Sequence, residues 1–411
     1  MRHVDAALLK RLVQEYGTPL YAYDAELIRQ RIEDLRAFDV VRFAQKACSN
    51  VHILRLMRAE GALVDAVSSG ELERAVRAGY TGEGDRPGVV YTADIVTEAA
   101  LDRIVELDVP LNAGSADAVQ QIGRRDPGHR IWLRVNPGFG HGHSRKTNTG
   151  GEWSKHGIWH EYLDEAVRYI EKYKLDLQGL HMHIGSGTDF NHLKRVCEAM
   201  VAQVQGLGLD LRAISAGGGL PIPYRDEASF DTDGLFRLWD FARKRIEAVL
   251  DHAVSLEIEP GRYLVGEAGF MVAEVRATKR MGPNRFLLVD AGFDNLMRPT
   301  MYGSYHAISV FSSDGELARG PTEPTVVAGP LCESGDVFTQ EEGGVVVPRE
   351  LPAARVGDLV VFHDAGAYAA SMASNYNSRP LAPELLIDGE RIQRIRRRQT
   401  IDDLLSLEED R

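Results

Sequence analysis

Cysteine is scarce in this 411-residue chain: Cys48, Cys197 and Cys332 are an odd number, spaced unlike any disulfide framework or zinc site. Reduced thiols in a cytoplasm are the expectation, and no signal-peptide pattern follows Met1. No uninterrupted apolar run reaches the roughly 18 residues that a membrane span needs, so no membrane partner is expected. Basic surface is lacking as well. The formal net charge is −12, with acidic and basic residues interspersed, which leaves no cationic face for nucleic acid and favours a small-molecule partner. Lysine is rare, arginine filling most of the 48 cationic positions. A lysine inside an ordered motif therefore asks for a chemical reason.

What is present is apolar and periodic. Hydrophobic residues make up 44% of the chain, ample for two cores at this length. Ala6, Leu9, Leu12 and Val13 mark one face of a first helix, residues 19–23 alternate like a strand, and Asp24 is placed to cap a helix. Short β-branched runs then alternate with helical patterns: VVRFAQK, ALVDAVS, GVVYTA, VPLNAG, RIWLRVNP, LQGLHMH, LRAISAG and VSLEIEP. Eight strands separated by helices predict an α/β fold, a (β/α)8 TIM barrel over residues 25–265. After Gly266 closely spaced alternating runs predict a mostly β domain over 266–411, completed by residues 1–24. The long connection 138–157 after the fifth strand is expected over the barrel's mouth.

Catalytic groups in such barrels sit at the C-terminal strand ends. Here those ends carry Lys46, Ser68, Thr92, Asn112, Asn136, His181 with His183, Gly217-Gly218-Gly219 and Glu259. Lys46 ends the first strand, where an unpartnered ammonium ion would be costly to bury. Either it reaches water at the rim, or it forms a Schiff base with an aldehyde cofactor. The glycine run after strand seven suits a phosphate approached by backbone N–H groups, although such a run is also an ordinary flexible turn. Glu259, in EPGR, is placed to keep a pyridine nitrogen of pyridoxal phosphate protonated, with Arg262 supplying charge; the bland alternative is a surface Glu–Arg pair. His181 and His183, read as two apart on one strand, share a side where one ring could lie against a planar cofactor. With no third ligand in sight, no metal is expected.

RFAQKACSN, DAVSSGELERA, NTGGEWSKHGI, GLHMHIGSG, AGGGLPIPY, EPGR, GPLCESGDVF and AYAASMASNYNSRP together resemble bacterial diaminopimelate decarboxylases nearly end to end. These belong to a class, with alanine racemases and ornithine decarboxylases, that joins a pyridoxal-phosphate barrel to a β domain. The resemblance implies decarboxylation of meso-2,6-diaminopimelate to L-lysine, the last step of lysine biosynthesis. It makes Lys46 the Schiff-base lysine, His183 the residue stacked on the ring and Glu259 the partner of the pyridine nitrogen. Ser186, Gly218, Gly219, Gly261 and Arg262 then hold the phosphate, with Tyr368 also at the cofactor. Arg262, Arg298, Tyr302, Glu333 and Tyr368 surround the substrate, the arginines suiting a distal carboxylate and Glu333 a distal ammonium. Cys332 is the implied proton donor to the carbon that loses CO2. In related homodimers Cys332 and Glu333 come from the neighbouring subunit.

Departures from the commonest family pattern lie near the cofactor or the mouth: SKHGI for SKFGI, YTADI for an Asn- and Lys-rich turn, HIGSG for HIGSQ and SMASN for SMSSN. They bear on specificity more than on reaction type. The rival readings are a decarboxylase of D-lysine or D-ornithine, which would not need Arg298, and a non-catalytic pyridoxal-phosphate carrier, expected to lose Lys46 or Cys332.

Overall fold

The computed structural model describes residues 5–141, 146, 148–186, 189–225 and 227–409. It divides into two compact units. One comprises residues 29–221 and 229–264; the other comprises the chain up to Ile28, Ile222–Ala228 and the chain from Val265 onward. Among the described residues no helix is long and apolar enough to cross a membrane.

The first unit is the expected barrel. Its strands are β1 Val40–Ala44, β2 Leu63–Ala66, β3 Val89–Ala93, β4 Leu111–Ala113, β5 Arg130–Asn136, β6 Asp176–His181, β7 Ala213–Ser215 and β8 Ser255–Ile258. Each pairs in parallel with its sequence neighbour, and β8 closes the ring on β1 through Glu257 opposite Val40 and Ile258 opposite Val41. A two-residue strand, Ile158–Trp159, extends the end of β5. The connecting helices are α1 Val51–Ala59, α2 Ser69–Ala78, α3 Glu98–Glu106, α4 Ala116–Arg125, α5 Leu163–Tyr173, α6 Phe190–Leu207 and α7 Thr232–Leu250.

Local sequence explains where these helices begin. Asn50, Ser68, Thr97, Ser115, Asp189 and Asp231 each place a side-chain oxygen on a free N–H of the first turn, a contact worth about 1 kcal/mol per helix. Ser68, read from sequence as a strand-end group, has this capping role. Apolar stripes then seat the helices on the strands, as with Leu72, Ala75 and Ala78 of α2.

In the second unit Leu20–Asp24 is central. It runs antiparallel to Gly269–Met281 and parallel to Glu384–Asp388. The mixed sheet continues on one side through Asn284–Val289, Thr322–Ala328 and Arg349–Pro352, and on the other to Arg391–Arg396. Leu9 and Leu12 of the helix Ala6–Tyr16 are fully buried against Leu20, Ala22, Val272 and Leu385, each contributing roughly 1.5–3 kcal/mol. Asp24 accepts from Leu27 N at 3.0 Å, the cap that its position suggested.

Candidate active site

Lys46 follows β1 on the single turn Gln45–Ala47. Both flanking residues are buried while the lysine is exposed. The rim alternative thus describes its position, and the cost of burial is not what singles it out. Its surroundings do. Ala44 N donates to Pro260 O at 3.1 Å, which ties the Lys46 turn to the end of β8. A Cβ on Gly261 would sit 3.3 Å from both Ala44 O and the Ala47 methyl. Gly261 is buried and Arg262 opens the short helix Arg262–Val265, so the lysine turn and the EPGR motif lie together.

His181 and His183 do not share a strand. β6 stops at His181, and His183 stands beyond it in the loop. Gly218 N donates to His183 Nδ1 at 3.2 Å. Burial, then the charges of Lys46 and Arg134, holds this imidazole well below its usual pKa. His183 is therefore a neutral ring pinned by the glycine loop. That loop is glycine by necessity: Gly219 has φ +98°, and a Cβ on Gly218 or Gly219 would lie 2.3 Å from Glu259 O or 2.1 Å from Gly185 O. Ser186, half-buried, comes next in the chain after Gly185.

Glu259, just past β8, has a side chain only 12% exposed. Ser215 Oγ donates to Oε1 at 2.8 Å and His181 Nε2 lies 3.1 Å from Oε2. Burial alone would raise this carboxyl. The imidazole and the Ser215 hydroxyl outweigh it and hold Glu259 below the ordinary carboxylate range. Asn112 Nδ2 is 3.2 Å from Thr92 Oγ1 and 3.1 Å from His181 Nδ1, so strands β3, β4, β6 and β7 all feed this carboxylate.

Two further residues of the same interior were missed from sequence. Asp65 of β2 is buried, its Oδ1 without a hydrogen-bond partner among the described residues, and burial together with Glu259 pushes its carboxyl well above the usual range. Arg134 of β5 is 9% exposed, and its guanidinium acts on Asp94, Glu259 and Asp65. The signal was legible: a charge in the middle of an otherwise apolar strand, ALVDAVS or RIWLRVNP, needs a polar interior to face.

Asn136 ends β5 and staples the loop that follows. Its Oδ1 accepts from Gly138 N and Gly151 N at 3.1 and 2.9 Å, and its Nδ2 donates to Gly151 O and His156 O. Asp94, beyond β3, accepts from His156 Nδ1 at 2.7 Å and from Gly157 N at 2.8 Å. Residues 142–145 and 147 of the connection expected over the mouth lie outside the described residues, as does Gly187 of the HIGSG motif. Among the described residues His141, Asp189 and His192 offer three ligand atoms within 4.8 Å. The two rings stack at 4.0 Å and Asp189 caps α6 onto His192 N, contacts that account for the cluster without an ion.

The remaining candidates belong to the second unit. Arg298 is 2% exposed, at the start of the short helix Arg298–Tyr302. It donates to Tyr224 Oη and His306 Nε2 at 2.9 Å and to Ser304 Oγ at 3.1 Å. Tyr302 closes that helix, half-buried. Cys332 and Glu333 are exposed on a loop organised by buried Asp336, whose carboxylate accepts from Leu331 N and Phe293 N at 2.8 and 2.7 Å. Cys332 N donates to Asn377 Oδ1 at 2.8 Å, joining the CES and SNYNSRP signatures. Tyr368 is half-buried with φ +58°, a strained backbone for a tyrosine of the kind that collects at functional sites.

At one end of the barrel there are thus an amine on an anchored turn, a flat neutral imidazole, a carboxylate held ionised and a glycine loop. That donor set fits pyridoxal phosphate: amine for aldehyde, carboxylate for ring nitrogen and backbone N–H groups for phosphate. The model of the pyridoxal-dependent decarboxylases, pyridoxal binding domain, matches residues 25–266. The chain belongs to the pyridoxal-dependent decarboxylase family. Within that family it is 60% identical to a diaminopimelate decarboxylase of Streptomyces coelicolor over 98% of this chain and 92% of the relative. A crystal structure of a diaminopimelate decarboxylase superposes with TM-score 0.96 at 58% identity, covering 98% of this chain and 97% of the other. The Helicobacter pylori diaminopimelate decarboxylase complexed with L-lysine matches at 30% identity and TM-score 0.83, over 97% and 99% of the two chains.

Proposed function

We propose that this chain is a carboxy-lyase that converts meso-2,6-diaminopimelate to L-lysine and CO2, closing lysine biosynthesis. The observation that carries the reading is the near full-length 60% identity to a diaminopimelate decarboxylase, joined to a barrel end that fits the family's cofactor. When bound, pyridoxal phosphate supplies an electron-accepting ring for the charge left as CO2 departs.

The residues divide the remaining work. Lys46 presents a primary amine, the group that bonds an aldehyde. His183 offers a neutral flat face, and Glu259 an ionised carboxylate for a protonated ring nitrogen. Ser186, Gly218, Gly219, Gly261 and Arg262 would hold the phosphate, and the family resemblance assigns Tyr368 to the cofactor as well. A diaminopimelate ligand carries a distal carboxylate and ammonium; Arg262 and Arg298 suit the first, Glu333 the second, with Tyr302 and Tyr368 shaping the contact. Cys332 delivers the proton to the carbon that has lost CO2. The exposure of Cys332 and Glu333 agrees with their acting across a homodimer, and sedimentation equilibrium returning a monomer at working concentration sinks that assembly. Three cysteines with no disulfide among the described residues suit a cytoplasmic enzyme, which cell fractionation checks.

Borohydride reduction of the loaded protein followed by peptide mass spectrometry tests the cofactor assignment. The expected result is a cofactor adduct on the peptide containing Lys46, lost in Lys46→Ala together with turnover. An adduct on another lysine overturns it.

A further inference from the structure

We propose that His181 is a positioning residue that keeps Glu259 ionised toward the cofactor's ring nitrogen, and that Asn112 selects the His181 tautomer that does so. The proposal rests on the reading of Glu259 as the ring-nitrogen partner, and it extends that role to two residues packed behind the carboxylate.

His181 is 2% exposed, so its ring nitrogens face protein groups rather than water. Asn112 Nδ2 faces both Thr92 Oγ1 and His181 Nδ1. An amide nitrogen only donates, so Nδ1 accepts and the ring's hydrogen stands on Nε2. Nε2 is the atom 3.1 Å from Glu259 Oε2, while Ser215 Oγ donates to Oε1. Each carboxylate oxygen therefore faces a polar group from a different strand, the His181 ring nitrogen of β6 or the Ser215 hydroxyl of β7.

Charges around Glu259 pull in opposite directions. Arg42 from β1 and Arg134 from β5 favour the carboxylate, whereas Asp65 from β2 and Glu257 from β8 oppose it. Asp65 and Glu259 compete for one proton, and the geometry decides which acid takes it. Ser215 Oγ donates to Glu259 Oε1 and His181 Nε2 stands 3.1 Å from Oε2, whereas among the described residues Asp65 Oδ1 meets no donor. Burial accordingly pushes the Asp65 carboxyl up, while the groups around Glu259 hold that carboxyl down. If the His181 donor is lost, Glu259 becomes the stronger base and draws the proton from the ring nitrogen beside it.

The test is 15N NMR of the holoenzyme loaded with pyridoxal phosphate labelled at the ring nitrogen, with circular dichroism as the fold control. Wild type is expected to show the protonated nitrogen at neutral pH. His181→Leu moves the resonance toward the unprotonated position and lowers its titration midpoint by about one pH unit, a tenfold change in proton affinity. His181→Gln, which retains an amide donor, lies between the two. A wild-type resonance in His181→Leu, with Glu259→Gln shifted, overturns this inference and leaves the reading of Glu259 intact. An unshifted Glu259→Gln overturns that reading itself. Should His181→Leu not fold, Asn112→Ala is read instead: a smaller shift in the same direction is expected, and no shift refutes the tautomer argument.

Discussion

Asp364 stands in the HDAGAY turn with φ +55°, and burial, aided by the nearby Glu267 carboxylate, pushes its pKa up to about 7. An acid whose folded pKa lies above its unfolded value near 3.9 binds more protons when folded, so stability falls as pH rises between about 4 and 7. Asp364→Asn tolerates the same backbone and removes that cost. It is expected to raise unfolding stability by on the order of 1–3 kcal/mol at pH 8.5 and to change it little at pH 4; equal effects at the two pH values in urea melts contradict the assignment. Cys332 poses a question of chemistry rather than stability. Cys332→Ala should slow turnover by roughly a hundredfold while leaving the bound cofactor's absorbance intact, since only a proton donor is lost. Unchanged kcat removes the thiol from the mechanism. Residue types at strand ends were legible in the sequence. The tautomer of His181 and the exposure of Lys46 were not, because they depend on which neighbours the barrel brings within about 3 Å.

Between residues and domains stands the connection after β5. Two of its departures from the family pattern meet in space, since His156 of SKHGI bonds Asp94 of YTADI at 2.7 Å. Neither explains itself in the sequence, where 62 positions separate them; together they fasten the segment before Ile158 to the end of β3. Burial acts to raise the Asp94 carboxyl, but bonds from His156 and Gly157 N and the charge of Arg134 bring it below the usual value. The fastening is thus present above the ordinary carboxylate pKa and is lost as pH falls below it. Asp94→Ala should speed hydrogen exchange at the Gly157 amide by about tenfold or more, because a hydrogen bond to a charged group contributes roughly 1.5–3 kcal/mol. Exchange unchanged at neutral pH means that the loop is held elsewhere, by Asn136. Strand placement was readable from apolar periodicity, and the cap at Asp24 from its position, whereas Ser68 read as a strand-end group until its bond to Glu71 N was seen. The strands Glu384–Asp388 and Arg391–Arg396 were not singled out, since RIQRIRRR reads as a charge run until its pairing with ELLID is known.

At the scale of the whole molecule, the barrel and the mixed sheet were both written in the alternation of the chain, and the shift from βα repeats to closely spaced strands after Gly266 marked the change of architecture. The substrate is a different matter. Composition and strand-end chemistry lead to a pyridoxal-phosphate barrel, whereas diaminopimelate rests on likeness to relatives and on the chemistry of Arg298 and Glu333. The role proposed for Arg298, a buried guanidinium that donates to Tyr224, His306 and Ser304, is to take an acidic ligand group. On that proposal a substrate without a distal carboxylate has no need of Arg298. The most direct measurement is CO2 release and lysine formation by the purified protein with pyridoxal phosphate, comparing meso-, LL- and DD-diaminopimelate with D-lysine and D-ornithine. Turnover of the meso compound alone is the expected result, whereas activity confined to D-lysine or D-ornithine would keep the fold and Lys46 but contradict both the substrate and the role of Arg298.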